Sequence, residues 1–179
     1  KSILSAVTKD PAMLRWLDNY LSTAKAPNEN YARELMELYT MGVSGGYTEQ
    51  DIKEASRALS GHTLDGANTY RFNDSTTGHD YGAKTVLGKP ISNPHPNGAA
   101  DLDDLLDILL AHPATARFMV RKIWEWFVSP APDPALVDHL AGLWAGGGFG
   151  VRSLMGLILR SRAFFSSTAY RTLVKDPLD

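Results

Sequence analysis

The sequence predicts a mainly α-helical, bundle-like domain of about six helices, with a small β-hairpin or long loop inserted around residues 62–97. Two observations support this fold class. Apolar residues recur at helical spacing through most of the chain, and residues that commonly begin helices precede them. Between His62 and Asn97 this pattern gives way to a segment rich in Gly, Asn, Asp, Thr and Pro. That composition is typical of turns and ordered loops.

Three helices are predicted in the first sixty residues, each beginning at a side chain that can accept a hydrogen bond from the first-turn backbone. The predicted N-caps are Asp10, Asn28 and Thr48. Pro11 supports the first start, because proline is favoured at the first helical position. The second helix is predicted over residues 28–42 and ends at Gly42, since glycine commonly terminates helices.

The helical pattern resumes after the insertion. The predicted helix starts are Asp101, Pro113, Asp133 and Val151. Asp101 is interpreted as the N-cap of a helix over Leu102–Ala111. Within the insertion, Thr69–Phe72 and Thr85–Leu87 are predicted to be short strands that flank a polar loop.

Composition and charge narrow the class of protein. The chain has 179 residues, of which 44% are hydrophobic and 21% charged, so we expect one soluble domain over residues 1–179. The net charge of −2 argues against nucleic acid as the main partner. No apolar run approaches the roughly 20 residues of a membrane span. The absence of cysteine excludes disulfides, thiolate metal sites and cysteine nucleophiles.

One predicted helix carries polar residues in an apolar frame, in the stretch NENYARELMELYTMGV. Asn30, Arg33 and Glu37 are candidate ligand-binding residues, and the alternative is a helix cap and a solvated face. Glu34 is expected to be the most buried of these groups, which makes it a candidate general base. Its alternative role is an ion pair or backbone contact that fixes helix packing.

A second candidate site lies in the insertion, where HDYGAKTVLG contains His79, Asp80 and Lys84. Histidine can act as a base near neutral pH, and aspartate is a ligand for hard cations. The alternative is a turn in which Asp80 bonds the local backbone and His79 packs on the hairpin. The five histidines lack a ligand spacing such as HxxxH, so no metal ligand is assigned and the cofactor is unknown.

Other motifs of catalysis or ligand binding are missing from the sequence. It contains no GxSxG motif and no phosphate-binding glycine loop before a helix. A carbohydrate-binding platform needs exposed aromatic residues, whereas the tryptophans all lie within apolar helical patterns. We therefore expect all four in the core: Trp16, Trp124, Trp126 and Trp144.

Five long stretches have, in order and spacing, the pattern of a known family. They are NENYARELMELYTMGV, GGYTEQDIKEASRALSG, HDYGAKTVLG, HPATARFMVRKIWEWFV and LVKDPLD. Together they resemble the bacterial family called domain of unknown function 1800, over essentially the whole chain. Family members are usually much longer, so we expect an internal or C-terminal fragment. The family commonly has Trp where this chain has His62, which predicts a looser or more polar contact there.

The resemblance implies a setting rather than a reaction. Many members of the family look exported, and they are often encoded beside a second exported family related to sulfatases. This favours a periplasmic or extracellular location and a protein partner for the chain. The family has no generally established activity, so the resemblance names no substrate.

Two classes of function follow from the residues and the resemblance together. The first is an exported helical scaffold or binding module that acts with a partner protein, and it is preferred by a small margin. The second is a hydrolase, with or without the help of a metal ion. Its site would lie between the hairpin and the 28–42 helix. The candidate catalytic residues are His79, Asp80, Glu34 and Lys84.

Overall fold

The computed structural model describes residues 1–170 and 172–173. Its regular structure consists of eight α-helices, two small antiparallel hairpins and a short 3-10 helix. This composition confirms the predicted mainly α-helical class. The chain divides into two compact units, residues 1–112 and residues 113–179. The expectation of one domain over the whole chain stays a prediction.

The first unit contains five helices and both hairpins. Its helices are α1 (Ser2–Thr8), α2 (Pro11–Trp16), α3 (Glu29–Glu37), α4 (Glu49–Ala58) and α5 (Ala100–Ala111), with the 3-10 helix at Asn19–Leu21. The strands are β1 (His62–Leu64), β2 (Tyr70–Phe72), β3 (Lys84–Val86) and β4 (Lys89–Ile91). Helix α4 contacts α3, α5 and β3, and α5 also contacts β4, so these elements surround one interior.

The predicted helix starts of the first half are confirmed by their caps. The side chain of Asp10 accepts hydrogen bonds from Ala12 N and Met13 N at 2.8 and 3.2 Å. Asn28 caps α3 through a bond from Asn30 N. Helix α4 begins with a capping box. The Thr48 side chain accepts a hydrogen bond from the backbone N–H of the third helical residue, and the side chain of that residue accepts one from Thr48 N.

Helix α3 ends earlier than predicted, at Glu37 rather than near Gly42. The Thr40 hydroxyl donates to Leu35 O at 2.6 Å, and Met36 O accepts from both Met41 N and Gly42 N. These bonds satisfy carbonyls at the end of the helix and turn the chain away. Gly42 then adopts a positive φ of 81°, which glycine tolerates without strain.

The insertion contains two hairpins instead of one. The two predicted strands exist, but they pair with neighbours that the sequence pattern does not single out. Strand β2 pairs with β1, with Thr63 opposite Arg71, and β3 pairs with β4, with Thr85 opposite Pro90. The predicted polar loop therefore joins two separate hairpins.

Helix α5 corrects the role predicted for Asp101. The helix begins at Ala100, and its N-cap residue Ala99 makes no side-chain cap bond. Asp101 lies inside the first turn and is fully buried. It shares a helix face with Leu105 and Leu109, four and eight residues later, and this face points into the core.

In its described residues the second unit has three helices around its own core. They are α6 (Pro113–Phe127), α7 (Pro134–Gly146) and α8 (Val151–Leu159). Helix α7 contacts both α6 and α8. The predicted start at Asp133 is confirmed by bonds from Ala135 N and Leu136 N. The core is formed by Ala116, Val120, Trp124, Val128, Val137, Leu140, Ala141, Trp144, Leu154 and Ile158.

The expectation that all four tryptophans are core residues is wrong for two of them. Trp124 and Trp144 are buried and donate hydrogen bonds to Ser129 and Gly150. Trp16 and Trp126 are 79% and 78% exposed. Each follows a buried residue, Leu14 or Trp124, by two positions, so its side chain lies on the side of the helix opposite the buried face. No helix among the described residues is long and apolar enough to cross a membrane.

Candidate functional site

His79 lies in the interior of the first unit, with no side-chain surface exposed. Its Nδ1 is 2.8 Å from the carbonyl oxygen of Ser60, and its Nε2 is 3.2 Å from Oδ2 of Asp101. A carbonyl oxygen can only accept, so Nδ1 carries a hydrogen. The other ring nitrogen faces a carboxylate oxygen, so both sides of the ring are held by oxygen atoms.

Lys84 is held beside His79 by the same carboxylate. Its Nζ lies 2.7 Å from Asp101 Oδ2, and both side chains are almost completely shielded from solvent. The ammonium also donates to Gly82 O at 2.9 Å and to Asp80 O. Three acceptors match the three N–H groups of a protonated lysine. The amine is therefore saturated and has no donor left for a ligand.

Asp101 connects these groups. Asn93 Nδ2 donates to its Oδ1 at 2.8 Å, while His79 and Lys84 face Oδ2. Burial by itself raises the pKa of this carboxyl. The hydrogen bonds from His79, Lys84 and Asn93 outweigh burial, and together they hold the pKa below its usual value. We call His79, Lys84 and Asp101 the buried triad.

Asp80 points out of this interior toward α4. Its carboxylate accepts from Arg57 Nε at 2.7 Å and from Arg57 Nη2 at 3.2 Å, a two-pronged contact. Arg57 also donates to Ala83 O and to Glu54. Burial raises the pKa of Asp80, but the bonds from Arg57 and from Gly82 N prevail and lower it. Arg57 thus fastens the insertion to α4.

The predicted residues on α3 divide into two groups. Arg33 pairs with Glu49 at 2.7 Å and more loosely with Glu29 and Glu37, at 3.6 and 3.5 Å. This network lies at the surface, as expected for a solvated face. Asn30 is exposed and Glu34 is half-buried. Their side chains take part in no hydrogen bond or ion pair with the described residues.

The four predicted catalytic residues therefore form only a partial cluster. His79, Asp80 and Lys84 are linked by hydrogen bonds, through Asp101 and through the Asp80 carbonyl. The Glu34 carboxylate takes no part in this network among the described residues. A catalytic role for any of the four stays a prediction.

The arrangement of Ser60, His79 and Asp101 resembles the catalytic triad of a hydrolase. Ser60 Oγ is 3.4 Å from His79 Nδ1, and His79 Nε2 faces Asp101, so the three residues follow the order of a catalytic triad with the two ring nitrogens exchanged. In the structure Nδ1 donates its hydrogen to Ser60 O and is not free to accept the Ser60 proton. The Ser60 hydroxyl, however, donates to Arg57 O at 2.7 Å and accepts from Asp80 N at 3.0 Å. Ser60 is also buried. A nucleophile must reach its substrate, and this hydroxyl is enclosed and occupied in the structure.

His62 is packed among aromatic rings, and of the two expected alternatives, a looser or a more polar contact, the structure shows the polar one. It is fully buried, with Tyr70 and Phe72 ring centroids at 5.9 and 5.0 Å. Its Nδ1 lies 3.0 Å from the Tyr70 hydroxyl, so the contact is polar on one side. Its Nε2 has no hydrogen-bond partner among the described residues. Burial, aided by Lys9 and His79 and opposed by Asp101, lowers the pKa of His62 to about 3.

Sequence reasoning missed three residues of this site. The sequence predicts Asp101 as a cap, whereas its spacing from Leu105 and Leu109 places it on the buried face. Arg57 and Ser60 lie near the end of α4, where nothing in the sequence distinguishes them from surface residues. Their roles arise because β3 packs on α4.

The described residues include no group of three or more His, Asp or Glu side chains arranged to hold a metal ion. No curated protein and no solved structure matches the chain. Residues 1–179 match the family described as "Protein of unknown function (DUF1800)". The match covers the whole chain, so the resemblance stated above is confirmed at the level of the family. The chain therefore belongs to the DUF1800 family.

Proposed function

We propose that the chain is an exported bacterial binding module that acts with a partner protein through one edge of α3. This edge consists of Asn30, Glu34 and Leu38, which are spaced four residues apart and lie in line on the helix. We call it the α3 edge. Its two polar side chains have no partner among the described residues, and Leu38 is 52% exposed.

The contrast along this helix carries the proposal. Arg33, Glu34 and Glu37 are all half-buried. Arg33 and Glu37 are ion-paired, whereas the Glu34 carboxylate has no partner among the described residues, and the exposed Leu38 follows it by one helical turn. The oxygens of this carboxylate are not among the buried atoms that lack a partner, so they remain accessible to another molecule. A protein that offers an arginine or backbone N–H to Glu34 and an apolar contact to Leu38 would complete this edge.

The buried triad supports a binding role rather than catalysis. His79, Lys84 and Asp101 satisfy one another out of solvent. Each is thereby fixed in one position, and together they hold the insertion against the start of α5. A rigid insertion gives the first unit a defined surface, which lowers the entropy cost of binding a partner.

The sulfatase-related exported protein that relatives encode nearby is the partner to test. The chain and this protein would be co-expressed, and their affinity measured for wild type and for the double substitution of Glu34 and Leu38 by Ala. We expect the double variant to bind more than tenfold more weakly. Glu37→Ala is the matched control on the same helix and should change affinity less than threefold. Equal losses in both variants, or no complex with wild type, would contradict the proposal.

A hydrolase is the second proposal, and the line from Ser60 through His79 to Asp101 is the observation that favours it. An opening of the insertion would be needed to expose Ser60. A fluorophosphonate probe, which labels activated serines, distinguishes the two proposals. The binding-module proposal predicts no labelling. Stoichiometric labelling that is lost in Ser60→Ala would support the hydrolase instead.

A further inference from the structure

We propose that the second unit docks on an anionic lipid membrane surface through α8 and the turn after it. The docking surface consists of Arg152, Leu159, Arg160, Arg162 and Phe165, and we call it the α8 surface. This inference does not depend on the partner proposed for α3, because all five residues lie in the other unit. The inference gives a role to a basic segment that does not take part in the proposed contact at the α3 edge.

The charge of this region is strongly one-sided. From His139 to Lys175 the sequence contains no Asp or Glu, while it contains Arg152, Arg160, Arg162, Arg171 and Lys175. The arginines at positions 152, 160 and 162 are exposed and form no ion pair with a described carboxylate. The positive electrostatic potential of these arginines attracts anionic surfaces, and no carboxylate pairs with them in the described part of the unit.

Apolar side chains are exposed between these charges. Leu154 and Ile158 turn inward and are completely buried. On the outer side, Leu159 is 40% exposed and lies in line with Arg152, seven residues earlier on the helix. After the helix, Phe164 packs against the core while its neighbour Phe165 is 76% exposed. The α8 surface is thus both basic and apolar.

The mixing of the two chemistries favours lipid over an acidic protein. Protein interfaces usually separate an apolar centre, depleted in charge, from a polar rim. On the α8 surface Leu159 directly precedes Arg160, and Phe165 follows Arg162 by three residues. At a membrane interface leucine and phenylalanine enter the acyl boundary while neighbouring arginines reach phosphate headgroups. The alternation of apolar and basic residues on the α8 surface therefore fits a membrane interface.

Co-sedimentation of the full 179-residue chain with vesicles tests the proposal. The vesicles contain either pure phosphatidylcholine or a mixture with phosphatidylglycerol. The first variant replaces Arg152, Arg160 and Arg162 by Gln, and the second is Phe165→Ser. The matched control replaces Lys25, Lys53 and Lys89 by Gln, which removes the same charge from exposed positions of the first unit. Circular dichroism of each variant reports whether its helices are retained.

We expect wild type to bind the anionic vesicles and not phosphatidylcholine, and added salt to weaken binding. Each arginine near an anionic surface contributes about fivefold, so the triple variant should lose ~100-fold in partitioning. Phe165→Ser should lose about tenfold, and the lysine control less than threefold. Absence of binding to anionic vesicles would overturn the proposal, as would equal loss in the lysine control. If an acidic polypeptide binds while vesicles do not, the surface recognises protein and the lipid proposal is wrong.

Discussion

Lys84 Nζ and Asp101 Oδ2 lie 2.7 Å apart, with 1% and 0% of their side chains exposed. Two charges removed from water in this way stabilise a fold only when each finds its full set of partners. Here Asn93 completes the carboxylate, and two backbone carbonyls complete the ammonium. The pair joins the insertion to the first turn of α5, so its loss should be felt by the whole first unit.

Asp101→Asn should destabilise the first unit by about 3–5 kcal/mol, because the substitution leaves the Lys84 charge buried without its carboxylate. Hydrogen exchange of the α5 amides measures this loss as a lower free energy of opening. Asp103→Asn is the control on the same helix, since Asp103 is exposed and, within the described residues, pairs only with the Lys1 side chain at 3.4 Å. We expect it to cost less than about 1 kcal/mol. Similar losses in the two variants would mean that the buried pair has no special role.

His62 should make the first unit sensitive to mild acid. Its pKa is about 3 in the fold and 6.5 in an unfolded chain, so the unfolded state binds more protons between these values. Stability is therefore lost as the pH falls below about 6.5. At pH 5 the loss attributable to this residue is about 2 kcal/mol. This window lies above that of Asp101, whose lowered pKa contributes stability that is lost only below its usual value near 3.9.

The variant that checks this effect is His62→Phe. A phenyl ring removes the buried Nε2, which has no partner in the described part of the chain, and keeps the contacts with Tyr70 and Phe72. Urea unfolding at pH 7 and pH 5 should show a pH dependence that is smaller by about 2 kcal/mol than in wild type. An unchanged pH dependence would show that His62 titrates normally.

Arg57 should contribute more than Arg33, although each pairs with several carboxylates. The partners of Arg57 are Asp80 and Glu54, which are 20% and 14% exposed, whereas Glu49, the nearest partner of Arg33, is 69% exposed. We expect Arg57→Leu to destabilise the insertion by about 1.5–3 kcal/mol and Arg33→Leu by less than about 1 kcal/mol. Limited proteolysis within residues 74–91 compares the two. Faster cleavage in the Arg33 variant would contradict this ranking.

Glu34→Ala should leave the stability of the first unit within about 0.5 kcal/mol of wild type. The reason is that this carboxylate has no partner among the described residues, so its removal breaks no contact there. Thermal unfolding measures the effect. A loss of several kcal/mol would mean that Glu34 is a structural group, and the α3 edge would then lose its proposed role.

Much of the fold could be predicted from the sequence because the signals are local. Asp10, Asn28, Thr48 and Asp133 begin helices through bonds to backbone groups two or three residues away. The pairing of the hairpins could not be predicted this way, because all four strands are three residues long, too short for an alternating pattern to show which of them pair.

The candidate site was only partly predictable, because only some of its contacts are between residues close together in sequence. His79, Asp80 and Lys84 lie close together in sequence and were identified together. Their partners Asp101 and Arg57 come from helices 22 and 23 residues away from His79 and Asp80. A partner that distant is fixed by how the insertion packs on α4 and α5.

A side-by-side comparison of Asp101→Asn and Glu34→Ala tests the central claim most directly, with unfolding and affinity for the sulfatase-related protein measured on both. The claim is that the buried triad holds the fold while the α3 edge binds the partner. It predicts that Asp101→Asn loses stability, and that Glu34→Ala keeps stability and loses affinity. A Glu34→Ala variant that loses stability, or one that keeps wild-type affinity for the partner, would contradict the account.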